Sequence, residues 1–162
     1  MAETMTREEA IHKIGTLISQ VPVAMLTTTS SRGWLRSRPM VAQRGPFDGE
    51  LWFLTSRTAA KSGEVRDRRQ VNVSYASPER DCYVSIAGIA TLVDDRVRAK
   101  ALWGEALEPW FPKGLADPDL VLIRVEAEEA EYWDSSAKKM VLVSELHLAR
   151  PVFRDVEPGT GW

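Results

Sequence analysis

The sequence predicts a mainly β, α+β fold: a six-stranded antiparallel β-barrel with peripheral helices, one domain over residues 1–162. Short apolar runs rich in β-branched residues recur along the chain, among them "VAMLTTT", "ELWFLT" and "CYVSIAGIATLV". Turn-forming stretches such as "SSRG" and "RGPFDG" separate them, with no helical period between, so neighbouring strands run antiparallel. Strands so short and numerous expose edges that closure into a barrel removes.

The elements follow in order. Thr6-Arg7-Glu8-Glu9 fits a capping box, and Ile11, Ile14, Leu17, Ile18 and Val21 recur at helical spacing before Pro22, giving a helix over about residues 6–20. The barrel spans about residues 23–134, with strands over 23–29, 34–43, 50–55, 71–76, 82–93 and 120–130. Gly88 interrupts the fifth of these, as a bulge or a close backbone approach would require. Helix formers follow Thr58, a candidate cap, and a second helix runs from Asp94 or Asp95 to about Leu107. "EPWFPKGLADPDL" is an ordered proline-rich loop. In the C-terminal segment 135–162, the stretch 137–149 fits either helix or strand, and helix is the expectation adopted.

Composition narrows the function classes. A hydrophobic fraction of 44% and a charged fraction of 27% are those of a globular domain. A net charge of −2 and a pI near 5.8 disfavour nucleic acid or an acidic membrane as partner, whereas a local basic cluster suits a small anion. The lone cysteine, Cys82, reads as a buried small hydrophobe, and the two histidines form no metal-site spacing with it. The polar start "MAETMTREEA" has no signal-peptide pattern, and no apolar run reaches the ~20 residues of a membrane helix, so the expected compartment is the cytoplasm.

Chemistry concentrates in "RSRPMV". Strand alternation sets Arg36, Arg38 and Met40 on one side and Ser37, Pro39 and Val41 on the other. Pro39 lacks an amide proton, which marks a sheet edge or a ligand-lined groove. Two same-side arginines have two readings: a solvated face salt-bridged to acidic neighbours, or an anion site. The segment "LWFLTSRTAAKSGEV" favours the second. With Thr58 as cap, Lys61 falls at the third residue of a helix whose first turn presents free amides and a partial positive charge. Arg57 is a neighbouring candidate, and pairing of Lys61 with Glu64 is the bland alternative.

In order, "LRSRPMV", "LWFLTSRTAAKSGEV", "VNVSYASP", "YVSIAGIATLVDD", "LWGEALEPWFPKG" and "DPDLVLIRVEAEEAEYWD" resemble the pyridoxamine 5'-phosphate oxidase-like flavoproteins with the FMN-binding split β-barrel, most closely their general stress protein 26 branch. The resemblance implies a homodimer with one FMN at each end of the subunit interface. It assigns the flavin-lining strand to Arg38, Pro39, Met40 and Val41, with Arg36 and Ser37 beside them, the end of the next strand to Phe53, Leu54 and Thr55, and a phosphate ligand to Lys61. It also favours Trp133 near the isoalloxazine ring. The other tryptophans read as core or interface packing, Trp162 as a tail anchor against the dimer.

The chain also departs from the oxidases proper. Ala60 stands where they have a second basic residue, Tyr83 where a glutamine meets the flavin, and His147 and Arg150 invert their carboxy-terminal Arg-x-His order. The resemblance therefore implies an FMN protein, with FAD or a deazaflavin as alternatives, whose role stays open. It is an oxidoreductase with an unidentified substrate, a flavin carrier without turnover, or a vitamin B6 phosphate oxidase. A cofactor-free dimeric scaffold with a salt-bridged basic cluster is the remaining reading.

Overall fold

In the computed structural model, residues 5–43 and 45–156 are described; Trp162 lies outside them. Helix α1, Arg7–Ile18, opens with the expected capping box: the Glu9 amide donates to Thr6 Oγ1 at 3.2 Å and the Thr6 amide to Glu9 Oε2 at 2.8 Å. Its apolar stripe, Ala10, Ile11, Ile14 and Ile18, is buried against the sheet. Strands β1 (Val23–Thr29), β2 (Leu35–Val41) and β3 (Glu50–Ser56) come next. After helix α2 (Ala60–Asp67) follow β4 (Gln70–Ser77), β5 (Cys82–Val93), helix α3 (Arg96–Leu102), β6 (Leu120–Asp134), β7 (Lys139–Ser144) and β8 (Val152–Val156). Asp95 caps α3, accepting from the Arg98 amide at 3.0 Å, but the helix stops at Leu102, short of the expected Leu107, and a 3-10 turn at Glu105–Leu107 follows.

All pairing is antiparallel, and six strands wrap in the order β2-β1-β4-β5-β6-β3. No ladder joins β3 back to β2, so the barrel is open along one seam. Among the described residues one side-chain bond stitches it, the Trp52 amide donating to Gln43 Oε1 at 2.7 Å. Strand β6 is long enough to serve two partners along one edge: residues 120–126 pair with β3 and 130–134 with β7.

The segment expected as helix over 137–149 is therefore a correction: β7 and β8 extend the sheet to eight strands. Its apolar residues also fit a 3–4 spacing, but Met140, Val141 and Val143 find a ready edge in the overhang of β6 and bury against it. A free edge offers ladder hydrogen bonds that weak helix propensity does not match. The annex also holds α1, because the Arg7 amide donates to the Ala149 carbonyl at 3.0 Å and Arg7 Nε to the Leu146 carbonyl at 2.8 Å.

The main core fills the barrel, with Leu26, Phe53, Ile86 and Ile123 fully enclosed. A second cluster lies outside it, where α3 and its following turn cover Trp52, Leu54, Leu120 and Leu122. Strand β3 is thus buried on both faces, which explains its continuous apolar run. Cys82 is buried as expected, its thiol donating to the Leu17 carbonyl at 3.3 Å.

At Gly88 the register of β5 against β6 shifts by one residue. A Cβ there would collide with the Glu126 carbonyl oxygen and sit 2.8 Å from Val125 Cγ1. Gly88→Ala is accordingly expected to cost about 2 kcal/mol, a fall in Tm of roughly 4–8 °C by calorimetry; an unchanged Tm would show that β6 yields freely.

Candidate functional site

Arg36 and Arg38 do share a side of β2, and both reach the same carboxylate. Arg36 Nη1 donates to Glu64 Oε1 at 3.2 Å and Arg38 Nη2 to Glu64 Oε2 at 3.2 Å. Arg38 Nη1 also donates to Thr28 Oγ1 at 2.6 Å and to the Leu26 carbonyl at 3.3 Å. The Thr28 hydroxyl donates in turn to Glu64 Oε2. The reading in which the arginines are salt-bridged to an acidic neighbour is the one observed, with neither guanidinium lining the adjacent groove.

Glu64 is only 8% exposed, on α2, three residues after Lys61. Burial is the largest single influence on its carboxyl and pushes the pKa up. The Thr28 hydroxyl and the two guanidinium groups together outweigh that, and the pKa ends below the ordinary carboxylate value.

Helix α2 starts one residue later than expected. Ala59 is the cap, without a side-chain bond, and Lys61 is the second helical residue rather than the third. Thr58 is diverted because its hydroxyl pairs with Ser56 Oγ at 3.0 Å. Arg57 points elsewhere, held by Asp94 at 2.9 Å. Lys61 is half-buried and makes no hydrogen bond or ion pair among the described residues. Burial, and then the nearby positive charge of Arg38, hold its amine below the usual lysine pKa.

Lys61 lines a groove of about 100 Å³ at the seam, shared with Pro39, Met40, Val41 and Leu54. Five expected site residues thus meet in one place. Thr55 is buried on the side of β3 opposite to Leu54, and its hydroxyl has no partner among the described residues. Phe53 faces the barrel core instead, because alternation along β3 turns it away from Leu54. Ser37 is on the outer face, its hydroxyl 2.6 Å from that of Thr27. Trp133 donates to Asp81 Oδ2 at 3.1 Å and lies eleven residues along β6 from Leu122, the partner of Leu54. At ~3.3 Å per residue, about 36 Å of strand separates it from the groove within one protomer.

Sequence reasoning missed Leu107, Trp110 and Phe111, which form the opposite wall. Trp110 is 63% exposed, unusual for an indole with only packing to do. The signal was the adjacent aromatics in "EPWFPKG", set between prolines that stiffen the loop.

A carboxyl with a folded pKa below its unfolded value of ~4.3 contributes stability that is complete above that value and lost as pH falls through the folded pKa. Glu64→Gln is expected to lower Tm by about 2–4 °C at pH 7 and to shrink that loss below about pH 4, read from thermal melts across pH. An unchanged acid limb would show that Glu64 carries none of it.

Comparison with known proteins places the chain. The family model for pyridoxamine 5'-phosphate oxidase-like proteins matches residues 9–151. Protein bli-3 of Neurospora crassa is 25% identical over 135 residues, covering 77% of this chain and 65% of that protein, so this chain matches less than two thirds of its length. General stress protein 26 of Bacillus subtilis is 27% identical over 134 residues, covering 80% of this chain and 86% of that protein. The crystal structure of the general stress FMN/FAD binding protein of Xanthomonas citri superposes with a TM-score of 0.65 at 28% identity, covering 78% of this chain and 89% of the other. By the reach of the family match and by its seamed barrel, the chain belongs to the pyridoxamine 5'-phosphate oxidase-like family.

Proposed function

We propose that this chain is an FMN-binding protein of the general stress type, working as a homodimer whose seam groove receives the phosphate-bearing flavin. The observation that carries this reading is Lys61: a half-buried cation without a counter-ion among the described residues, in the first turn of α2, beside the unpaired edge of β2. An amine so placed destabilises the empty site and gains from an anion with two charges. The similarity to the Xanthomonas protein, described as binding FMN or FAD, supports the same cofactor. Cytoplasm is the proposed compartment, where a lone thiol such as Cys82 stays reduced.

The groove's volume argues for a second subunit. About 100 Å³ is well short of the ~300–1,000 Å³ of a small-molecule site, so one protomer receives only part of a flavin. The groove opens onto an apolar outer face of β1 and β2, where Val23, Met25 and Leu35 are exposed, Leu35 by 75%. A partner seated there would complete the site, and is the only way for a Trp133 side chain to approach it.

Flavin, when bound, supplies hydride and electron transfer. The side chains described here contribute binding and exclusion of water: Lys61 neutralises the phosphate, while Met40, Val41, Leu54 and Phe111 shield the apolar part. Among the described residues Lys61 is the only ionisable one lining the groove, which assigns no general acid or base. A flavin carrier without turnover uses the same site, and the two part on whether a nicotinamide cofactor reduces the bound flavin.

Protein as isolated is expected to carry a flavin visible spectrum. Lys61→Ala should weaken FMN by about 10- to 100-fold, the loss of one charge-assisted bond, and leave riboflavin unchanged in fluorescence titrations. Equal loss for both flavins would remove the phosphate from the groove. Wild type is expected to sediment at twice its chain mass of 18.2 kDa, and Met25→Glu to sediment as monomer with flavin affinity lowered at least tenfold. A monomeric variant with full affinity would overturn the shared site.

A further inference from the structure

We propose that Glu64 sets the charge, and with it the phosphate preference, of the flavin site: it cancels one of three clustered cations, so that the site presents two net positive charges to a phosphomonoester dianion. This rests on the flavin reading above and asks what a carboxylate is doing inside a cluster that faces an anion.

Glu64 is nearly enclosed, and enclosure of a charge is costly unless its partners recover it. It recovers that cost from Arg36, Arg38 and Thr28, and leaves Lys61 alone. On a helix, residues three apart are neighbours, so Lys61 is the cation that Glu64 would meet most easily on its own element. The carboxylate turns instead to β2, and the amine stays uncompensated at the groove. Both terminal nitrogens of Arg38 are thereby occupied, so its guanidinium acts on the groove through its field rather than by contact. That field reaches Lys61.

Three cations and one anion leave two positive charges. A phosphomonoester carries about −1.5 to −2 near pH 7. Without Glu64 the groove would lie in the field of three uncompensated cations, Lys61 at its wall and the two arginines behind it, and would favour polyphosphates over a single phosphate ester. Glu64 touches no ligand in this account. It acts through the arginines and through the local potential.

The test is a charge ladder read as dissociation constants for FMN and riboflavin by flavin fluorescence, at low and at physiological salt. Glu64→Gln is expected to tighten FMN about three- to tenfold at low salt and to leave riboflavin unchanged. Arg36→Gln, at a side chain 56% exposed, should weaken FMN by a similar factor, again without touching riboflavin. The double variant should return FMN to within about twofold of wild type, and added salt should compress all three differences. A merely structural glutamate would shift both flavins together, so parallel shifts, or weaker FMN binding by Glu64→Gln, would overturn the proposal. Should Glu64→Gln fold poorly, Arg36→Gln decides alone, since unchanged FMN affinity there is incompatible with charge control. Wild type binding neither flavin would refute the flavin reading itself, whereas wild type binding FMN with variants that do not respond would refute only the role of Glu64.

Discussion

A sheet that curls round on itself closes only if its last edge meets its first, and here the two edges do not meet. The seam between β2 and β3 is the constraint from which the rest of the site derives. Along it β2 has a ladder on one side only, and Pro39 sits where a missing amide proton costs least. The Trp52–Gln43 bond keeps the gap from widening without filling it. Because the seam is not zipped, Met40, Val41 and Leu54 face one another across a groove instead of across a ladder.

An open seam needs something to fix its walls. The Thr28, Arg36, Arg38 and Glu64 network ties β1 and β2 to α2, the helix that carries Lys61. Packing alone would set the distance between strand and helix loosely, since α2 buries few apolar groups, chiefly Val65. Directional bonds to a planar guanidinium are stricter than apolar contact. On the far wall, α3 and the proline-rich loop are set by ordinary burial over Trp52 and Leu54, with the Arg98 guanidinium 4.1 Å from the Trp52 ring. One wall is held by charge and the other by hydrophobic packing.

Much of this was legible in the sequence, for physical reasons that also mark where legibility ended. Strands whose side chains alternate between core and solvent announce themselves, as β4 and β5 do; Gly88 announced its bulge because no other residue tolerates that approach. Lys61 was readable as an anion-ligand candidate from its place after an apolar strand, yet its helix began at Ala60, capped by Ala59, because Thr58 found a hydroxyl partner two residues back. The partner of the arginines was not foreseeable by name, since Glu64 lies 26 and 28 residues from them in sequence. The tail deceived because a segment of mixed propensity takes whatever edge the fold leaves free, and only the structure reveals that β6 overhangs its barrel. Trp110 escaped notice for the opposite reason: loops carry no period to read.

The fastening of α1 by Arg7 carries a consequence for biogenesis. The guanidinium and its acceptor at Leu146 are 139 residues apart, so the helix leaves the ribosome well before its clasp. At synthesis rates of ~5–20 residues per second, the apolar stripe of Ala10, Ile11, Ile14 and Ile18 waits on the order of ten seconds for its fastening. A nascent chain of this family member therefore offers chaperones a defined early target, and a ribosome stalled before residue 146 would leave that stripe unclasped.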